Sequence, residues 1–241
     1  MKITVSFENI NNKKVFQILT KPNIPTKKIV IMSHGFRSTS IGPARSFVNF
    51  ERLLIKEDFA VLRFDQPCGG NSEGNYINSS FNEWVKTTAY FAKKYLELGY
   101  NVVLLGQSMG ATTTMIVAGQ KNLKNRISCI ILWVPDAKSN VNVEPDKTYE
   151  ENEQKYKGKF WIEAKKADFF GALDNYPGGI HLVYGEKDKY ISQALRTQTV
   201  NKVRSKNQPC MILPGQGHSS WKYDAAQKVY VEEIKFLQKY F

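Results

Sequence analysis

Cysteine and histidine are both scarce in this sequence. The three cysteines, Cys68, Cys129 and Cys210, are odd in number and widely spaced, which argues against a disulfide framework and against a zinc site. Cys129 and Cys210 fall in apolar, strand-like runs and read as small core residues. No apolar run approaches the length needed to span a bilayer. The first residues, Met1 to Phe7, alternate polar and apolar and lack the continuous apolar stretch of a signal peptide. A soluble, reduced, cytoplasmic protein is expected. Acidic residues are outnumbered, 22 against 34 basic ones, for a net charge of +12, which raises nucleic acid as a partner. The lysines, however, are scattered in pairs such as Lys13-Lys14, Lys27-Lys28, Lys93-Lys94 and Lys165-Lys166. No basic stripe with interleaved aromatics accompanies them. A solvated, lysine-rich surface is the reading, and no nucleic-acid partner is expected. Internal repeats and low-complexity linkers are also missing.

What is present is enough to build a core: 241 residues, 42% hydrophobic and 12% aromatic. Lys2–Phe7 and Lys14–Leu19 alternate like two half-buried strands of an antiparallel hairpin. Apolar runs that suit buried strands follow at Lys28–Met32, Asn101–Leu105 and Arg126–Val134, with further strands at Phe59–Phe64, Gly179–Gly185 and Pro209–Leu213. Between them lie helical patterns from Pro43 to about Glu57, Phe81–Leu98 (stopped by Gly99), the run after Met109, and Ile191–Val203. Trp221–Phe241 closes the chain with a wide apolar helical face. Strands alternating with helices predict an α/β fold of three layers with a mostly parallel sheet, extended at one edge by the hairpin. Residues 1–241 read as one domain. Residues 136–177 break the rhythm and read as an inserted cap over the C-terminal edge of the sheet. The cap aromatics, Trp161, Phe169 and Phe170 among them, suit either packing onto the domain or the lining of an acyl or aromatic pocket.

The most informative stretch is Gly106-Gln107-Ser108-Met109-Gly110. A strand precedes it and a glycine-free, proline-free run follows it, which is the context of a nucleophile elbow. A serine hydroxyl needs a base, and the base an orienting acid. There are three histidines, His34, His181 and His218. His34 ends a strand and reads as a support for the following loop. His181 starts a strand, at the opposite edge of the sheet from the serine, and reads as a surface or edge residue. His218 follows the last strand at the serine's edge and is the candidate base. Asp188 follows a strand at that edge and is the candidate acid, with Asp136 in reserve; Glu186 points elsewhere by strand parity. A helix cap would also explain Asp188, but Ser108, Asp188 and His218 stand in the chain order this fold uses. The oxyanion donors are expected to be the backbone N–H groups of Met109 and Phe36, with Gly35 permitting close backbone approach.

Together His34-Gly35-Phe36, Asp65 through Ser72, Gly106–Gly110, Gly185–Asp188 and Gly217-His218 resemble the α/β-hydrolase fold. The arrangement is most similar to small serine esterases of the cinnamoyl/feruloyl-esterase and monoacylglycerol-lipase-like type. The resemblance covers nearly the whole chain except the cap. It departs at Cys68, where the family loop Asp-x-x-Gly-x-Gly-x-Ser usually has its first glycine, which puts the shape of the pocket wall in question. The resemblance implies a small-molecule ester substrate, an acyl-enzyme on Ser108, and no metal or organic cofactor. Thioester hydrolysis or acyl transfer would use the same triad, and a ligand-binding relative without turnover would keep the same pocket.

Overall fold

In the computed structural model, which describes residues 1–151 and 153–241, eight strands form one sheet. They are β1 (Lys2–Ile10), β2 (Lys13–Lys21), β3 (Lys28–Ser33), β4 (Ala60–Phe64), β5 (Asn101–Gln107), β6 (Ile127–Trp133), β9 (Gly179–Gly185) and β10 (Cys210–Leu213), in the order β1-β2-β4-β3-β5-β6-β9-β10. The six strands from β4 to β10 run parallel; β1 and β2 are the antiparallel hairpin. This is the α/β-hydrolase fold. Among the described residues no helix is long and apolar enough to cross a membrane.

The strands are apolar on consecutive residues because both faces are covered. Along β3, Ile29 and Ile31 enter one core while Val30 and Met32 enter the other. Helices α2 (Phe81–Glu97), α3 (Met109–Ala118) and α6 (Gln193–Ser205) pack on the first face. Helices α1 (Ser46–Lys56) and α7 (Tyr223–Leu237) pack on the second. Gly99 ends α2 at φ +76°, a left-handed value natural to glycine. The chain winds one way from β3 to β4 and the other way from β5 onward. The C-terminal ends of β3 and β5 therefore meet at a topological switch point, where open α/β sheets place ligands; Ser33 is paired with Gly106 there.

Residues 136–151 and 153–177 hold more regular structure than their sequence suggests. Their charged part forms a small hairpin, β7 (Thr148–Glu151) with β8 (Gln154–Lys157), and two short helices follow, α4 (Lys159–Lys166) and α5 (Phe169–Asn175). Asp168 separates the helices, its carboxylate accepting the Gly171 N–H at 2.8 Å as the cap of α5. Phe160 seats α4 against Phe81 and Trp84 of α2.

Three expectations need correction. β1 is largely exposed, not half-buried. Cys210 is only partly buried, because it lies on the outermost strand. His181 is neither on the surface nor at an edge: it is 3% exposed, since β9 is covered by β10 on its outer side and by α7 on its face.

Candidate active site

Ser108 is the single residue between β5 and α3, with φ 55° and ψ −125°. A non-glycine residue holds such values only when its surroundings impose them. On one side the Ser108 N–H donates to the Trp133 carbonyl at 2.8 Å; on the other the Ser108 carbonyl accepts from Ala111 N–H at 2.8 Å. The flanking glycines are required by crowding. A methyl on Gly106 would overlap the backbone of Gly110 and Ala111, and one on Gly110 would overlap the carbonyl oxygens of Ser33 and His34.

The turn aims the serine at the loop after β10. His218 Nε2 lies 2.8 Å from Ser108 Oγ, and His218 Nδ1 lies 2.7 Å from Asp188 Oδ2. A carboxylate only accepts, so Nδ1 carries the proton and the Nε2 lone pair faces the hydroxyl. Asp188 follows β9, and its other oxygen accepts the Tyr190 and Ile191 N–H groups at 2.8 and 3.0 Å. Burial alone would raise the Asp188 pKa. The hydrogen bond and charge of His218, with the two amides, outweigh it and hold the carboxyl below its ordinary value. The loops carrying the acid and the base are stitched together by Lys187 N–H to Gln216 O at 2.7 Å, Gly215 N–H to Glu186 Oε2 at 2.7 Å and Glu186 N–H to Leu213 O at 3.0 Å. Glu186 is thus used on Gly215 and not on His218. Gly185 leaves room for the Gly217 carbonyl to pass. Asp136 lines the same cleft, and burial pushes its carboxyl above the ordinary range.

The loop after β3 closes the other side. A Cβ on Gly35 would lie 2.6 Å from Gln107 Oε1 and 2.9 Å from Ser108 Cβ, so only glycine lets this backbone lie against the serine. Phe36 follows it. Met109 opens α3, and a first-turn N–H has no partner within its own helix. His34 is fully buried; its Nε2 accepts the Gln66 N–H at 2.9 Å, so its Nδ1 donates to the Gly35 carbonyl at 2.8 Å. Burial lowers its pKa, which suits the neutral ring this pattern needs. Asp65 accepts from the N–H groups of Ser40 and Asn71 at 2.6 and 2.8 Å, tying the two loops together. Cys68, standing where the family prefers glycine, sits at φ +66° and is 4% exposed. The position keeps the backbone of a glycine without the residue.

The cleft over Ser108 measures about 470 Å³ and is lined by Phe36, Arg37, Met109, Tyr156, Trp161, Tyr190 and His218 among others. Phe36 is its hub, packed against Trp161 with ring centroids 4.8 Å apart and against Tyr156 at 5.0 Å. Tyr190 leans over His218 at 5.2 Å. Arg37 reaches across the mouth to Glu151 of β7 at 2.7 Å. Of the aromatic residues predicted for the pocket, Trp161 is there, and Gly35 lies beneath the serine. Phe169 and Phe170 are elsewhere. Phe169 is 1% exposed in the core beneath α3, and Phe170 packs on that core and faces a separate groove beside Thr197 and Asn201 of α6. Tyr156, Tyr190 and Arg37 were not singled out from the sequence. Tyr190 and Arg37 each lie within two residues of a site position at a strand's end, a signal that could have found them. Tyr156 sits in a charged run and gives none.

A family model described as serine aminopeptidase, S33, matches residues 24–168, more than half of the chain. No curated protein matches the sequence. Solved structures match closely in shape. Est1E from Butyrivibrio proteoclasticus with bound ferulic acid has a TM-score of 0.83 at 19% identity, covering 95% of this chain and 96% of that one. The monoacylglycerol lipase of Paleococcus ferrophilus has 0.77 at 17%, covering 93% and 99%. The thioesterase domain from the curacin biosynthetic pathway has 0.69 at 13%, covering 97% and 100%. At these identities the likeness shows the fold.

Proposed function

The chain belongs to the serine aminopeptidase S33 family of hydrolases, and on that premise we propose that it is a serine esterase. In this reading it cleaves carboxylic esters of small to medium acyl or aromatic acids. One observation carries the proposal: the unbroken chain Ser108 Oγ, His218, Asp188, at 2.8 and 2.7 Å, mounted on a serine whose backbone is held in a strained conformation.

The chemistry follows from those contacts. His218 Nε2 takes the hydroxyl proton as Ser108 Oγ bonds to the ester carbonyl carbon. The Asp188 carboxylate steadies the imidazolium that forms. The negative charge developing on the carbonyl oxygen rests on the Met109 and Phe36 N–H groups. His218 returns the proton to the leaving alkoxy oxygen as the C–O bond breaks, which leaves an acyl-enzyme. Water then attacks the acyl carbon, again giving its proton to Nε2, and Ser108 leaves with that proton. Residues 136–177 act as the cap. Phe36, Tyr156 and Trp161 offer an apolar, aromatic wall of a size suited to a phenolic or medium acyl group, which supports the acyl preference.

A fluorophosphonate probe combined with a panel of p-nitrophenyl and phenolic esters of graded acyl length tests this. Labelling and turnover in the wild type, both lost in Ser108→Ala, are expected. A folded wild type that binds the esters saturably without labelling or turning over would make the protein a ligand-binding relative instead. Turnover confined to acyl thioesters would redirect the proposal to thioester hydrolysis.

A further inference from the structure

The two edges of the sheet are built differently. At one end β10 is four residues long and bracketed by Pro209 and Pro214. A short strand between prolines is a poor template for another strand. At the other end β1 runs for nine residues, Lys2–Ile10, without proline and in unbroken register with β2. Its outer edge presents a regular row of backbone donors and acceptors. One face of the same strand is apolar and open: Ile3, Val5 and Phe7 are 52%, 59% and 56% exposed. Across β2 this face continues through Ile18, opposite Val5, and Phe16, opposite Phe7. A long edge strand with an open apolar face is the feature soluble proteins blunt or cover, and here no proline or break in register blunts it.

We infer that β1 pairs antiparallel with β1 of a second copy of this chain, across a twofold axis at Val5, and so joins two sheets into one. The strand's own residues select that register. With Val5 opposite Val5, Ile3 faces Phe7, Thr4 faces Ser6 and Lys2 faces Glu8, each pair formed twice by symmetry. Centring on Thr4 sets Lys2 against Ser6, and centring on Ser6 sets Lys2 against Ile10 and Ile3 against Asn9. An axis between two residues turns the apolar face of one copy onto the polar face of the other. The Thr4 register also sets Ile3 against Val5 but leaves Lys2 on a serine; only the Val5 register both keeps Ile3, Val5 and Phe7 facing one another and brings the lysine to the carboxylate. The Glu8 carboxylate is already anchored by its own chain. Tyr90 donates to Glu8 Oε1 at 2.6 Å, Lys94 and Gln17 donate to Oε2 at 2.5 and 3.2 Å, and Lys2 lies on the same face of the strand.

Sedimentation velocity at micromolar concentration and physiological salt, where the +12 charge is screened, is expected to show a dimer. Val5→Lys should sediment as a monomer with unchanged circular dichroism. Cysteine cross-linking reads the register and does not depend on that variant folding. Under mild oxidation Val5→Cys should form a covalent dimer, since facing Cβ atoms come within about 5 Å. Ile3→Cys and Phe7→Cys should cross-link when mixed but not singly. Thr4→Cys, exposed but facing Ser6, and the wild type with its own three cysteines should not cross-link. A monomeric wild type, a dimer indifferent to Val5→Lys, or cross-linking of Thr4→Cys equal to that of Val5→Cys would each overturn the proposal.

Discussion

Glu233 Oε2 of α7 lies 2.7 Å from His181 Nδ1 of β9, and both side chains are shut away from water. The other carboxylate oxygen accepts the Trp133 indole N–H at 2.9 Å, and Phe236 stacks on the imidazole. Burial pulls the His181 pKa down, but the Glu233 charge outweighs it and leaves the group above its ordinary value. A raised folded-state pKa contributes stability that is fully present below the unfolded value, about 6.5, and is lost as pH rises through the folded one. Urea unfolding is therefore expected to show a midpoint that declines on the alkaline side of about pH 6.5, a slope that His181→Gln removes. Glu233→Gln leaves one acceptor oxygen where two donors meet the carboxylate, so it can serve the indole or the protonated imidazole but not both, and it removes the charge that holds the histidine; it should cost about 3 kcal/mol at neutral pH.

Asp188 titrates with the opposite sign. Its folded pKa is depressed, so its contribution is present above the ordinary carboxyl value and is lost as pH falls through the folded one. Asp188→Asn should flatten that acid limb of stability. In the same variant kcat should drop by about ten-thousandfold, because the amide cannot hold the required tautomer of His218. Steady-state kinetics beside acid titration of the fold measures both effects; an active Asp188→Asn enzyme would shift attention to Asp136.

The glycines of the serine turn should differ sharply from Gly217 of the histidine loop. Gly110→Ala drives a methyl into the Ser33 and His34 carbonyls and is expected to cost about 3 kcal/mol or more. Gly217, with nothing within 4 Å of an added Cβ, should accept alanine for about 0.5 kcal/mol or less. Thermal melts of the two variants make the comparison.

Trp161→Ala opens the cleft wall that rests on Phe36. Phenolic esters should lose about tenfold in kcat/KM, equivalent to about 1.4 kcal/mol, while acetyl esters, too short to reach the ring, should change little. An equal loss on both would mean that the ring acts through the position of Phe36 instead.

The central strands were legible because they are apolar on both faces, and the helices because they carry their own stops, as at Gly99. The placement of Ser108, Asp188 and His218 at one edge of the sheet was legible for a topological reason: each lies in the turn or loop after a strand of the parallel sheet. What could not be read depended on tertiary contact. The β7–β8 hairpin is written in Thr, Glu, Lys, Gln and Tyr, with no apolar alternation to announce strands. Phe170 shares its helical spacing with Phe160, Ala164 and Ala167, but Asp168 starts a new helix in between and turns Phe169 and Phe170 away from the cleft. His181 looked peripheral because nothing local reveals Glu233, which is more than fifty residues away. Cys68 looked like a departure from the family loop, yet it occupies the left-handed conformation that a glycine would have supplied.

The backbone of Ser108, at φ 55°, has one more consequence. A residue that cannot relax where it stands is held by β5, α3 and the Trp133 carbonyl acting at once. Slight loosening of any of them lets the turn drift toward an ordinary conformation while most of the sheet stays intact. If the proposed esterase activity holds, Ser108 is expected to act like a fuse: on heating, turnover should fall at a lower temperature than the circular dichroism of the sheet.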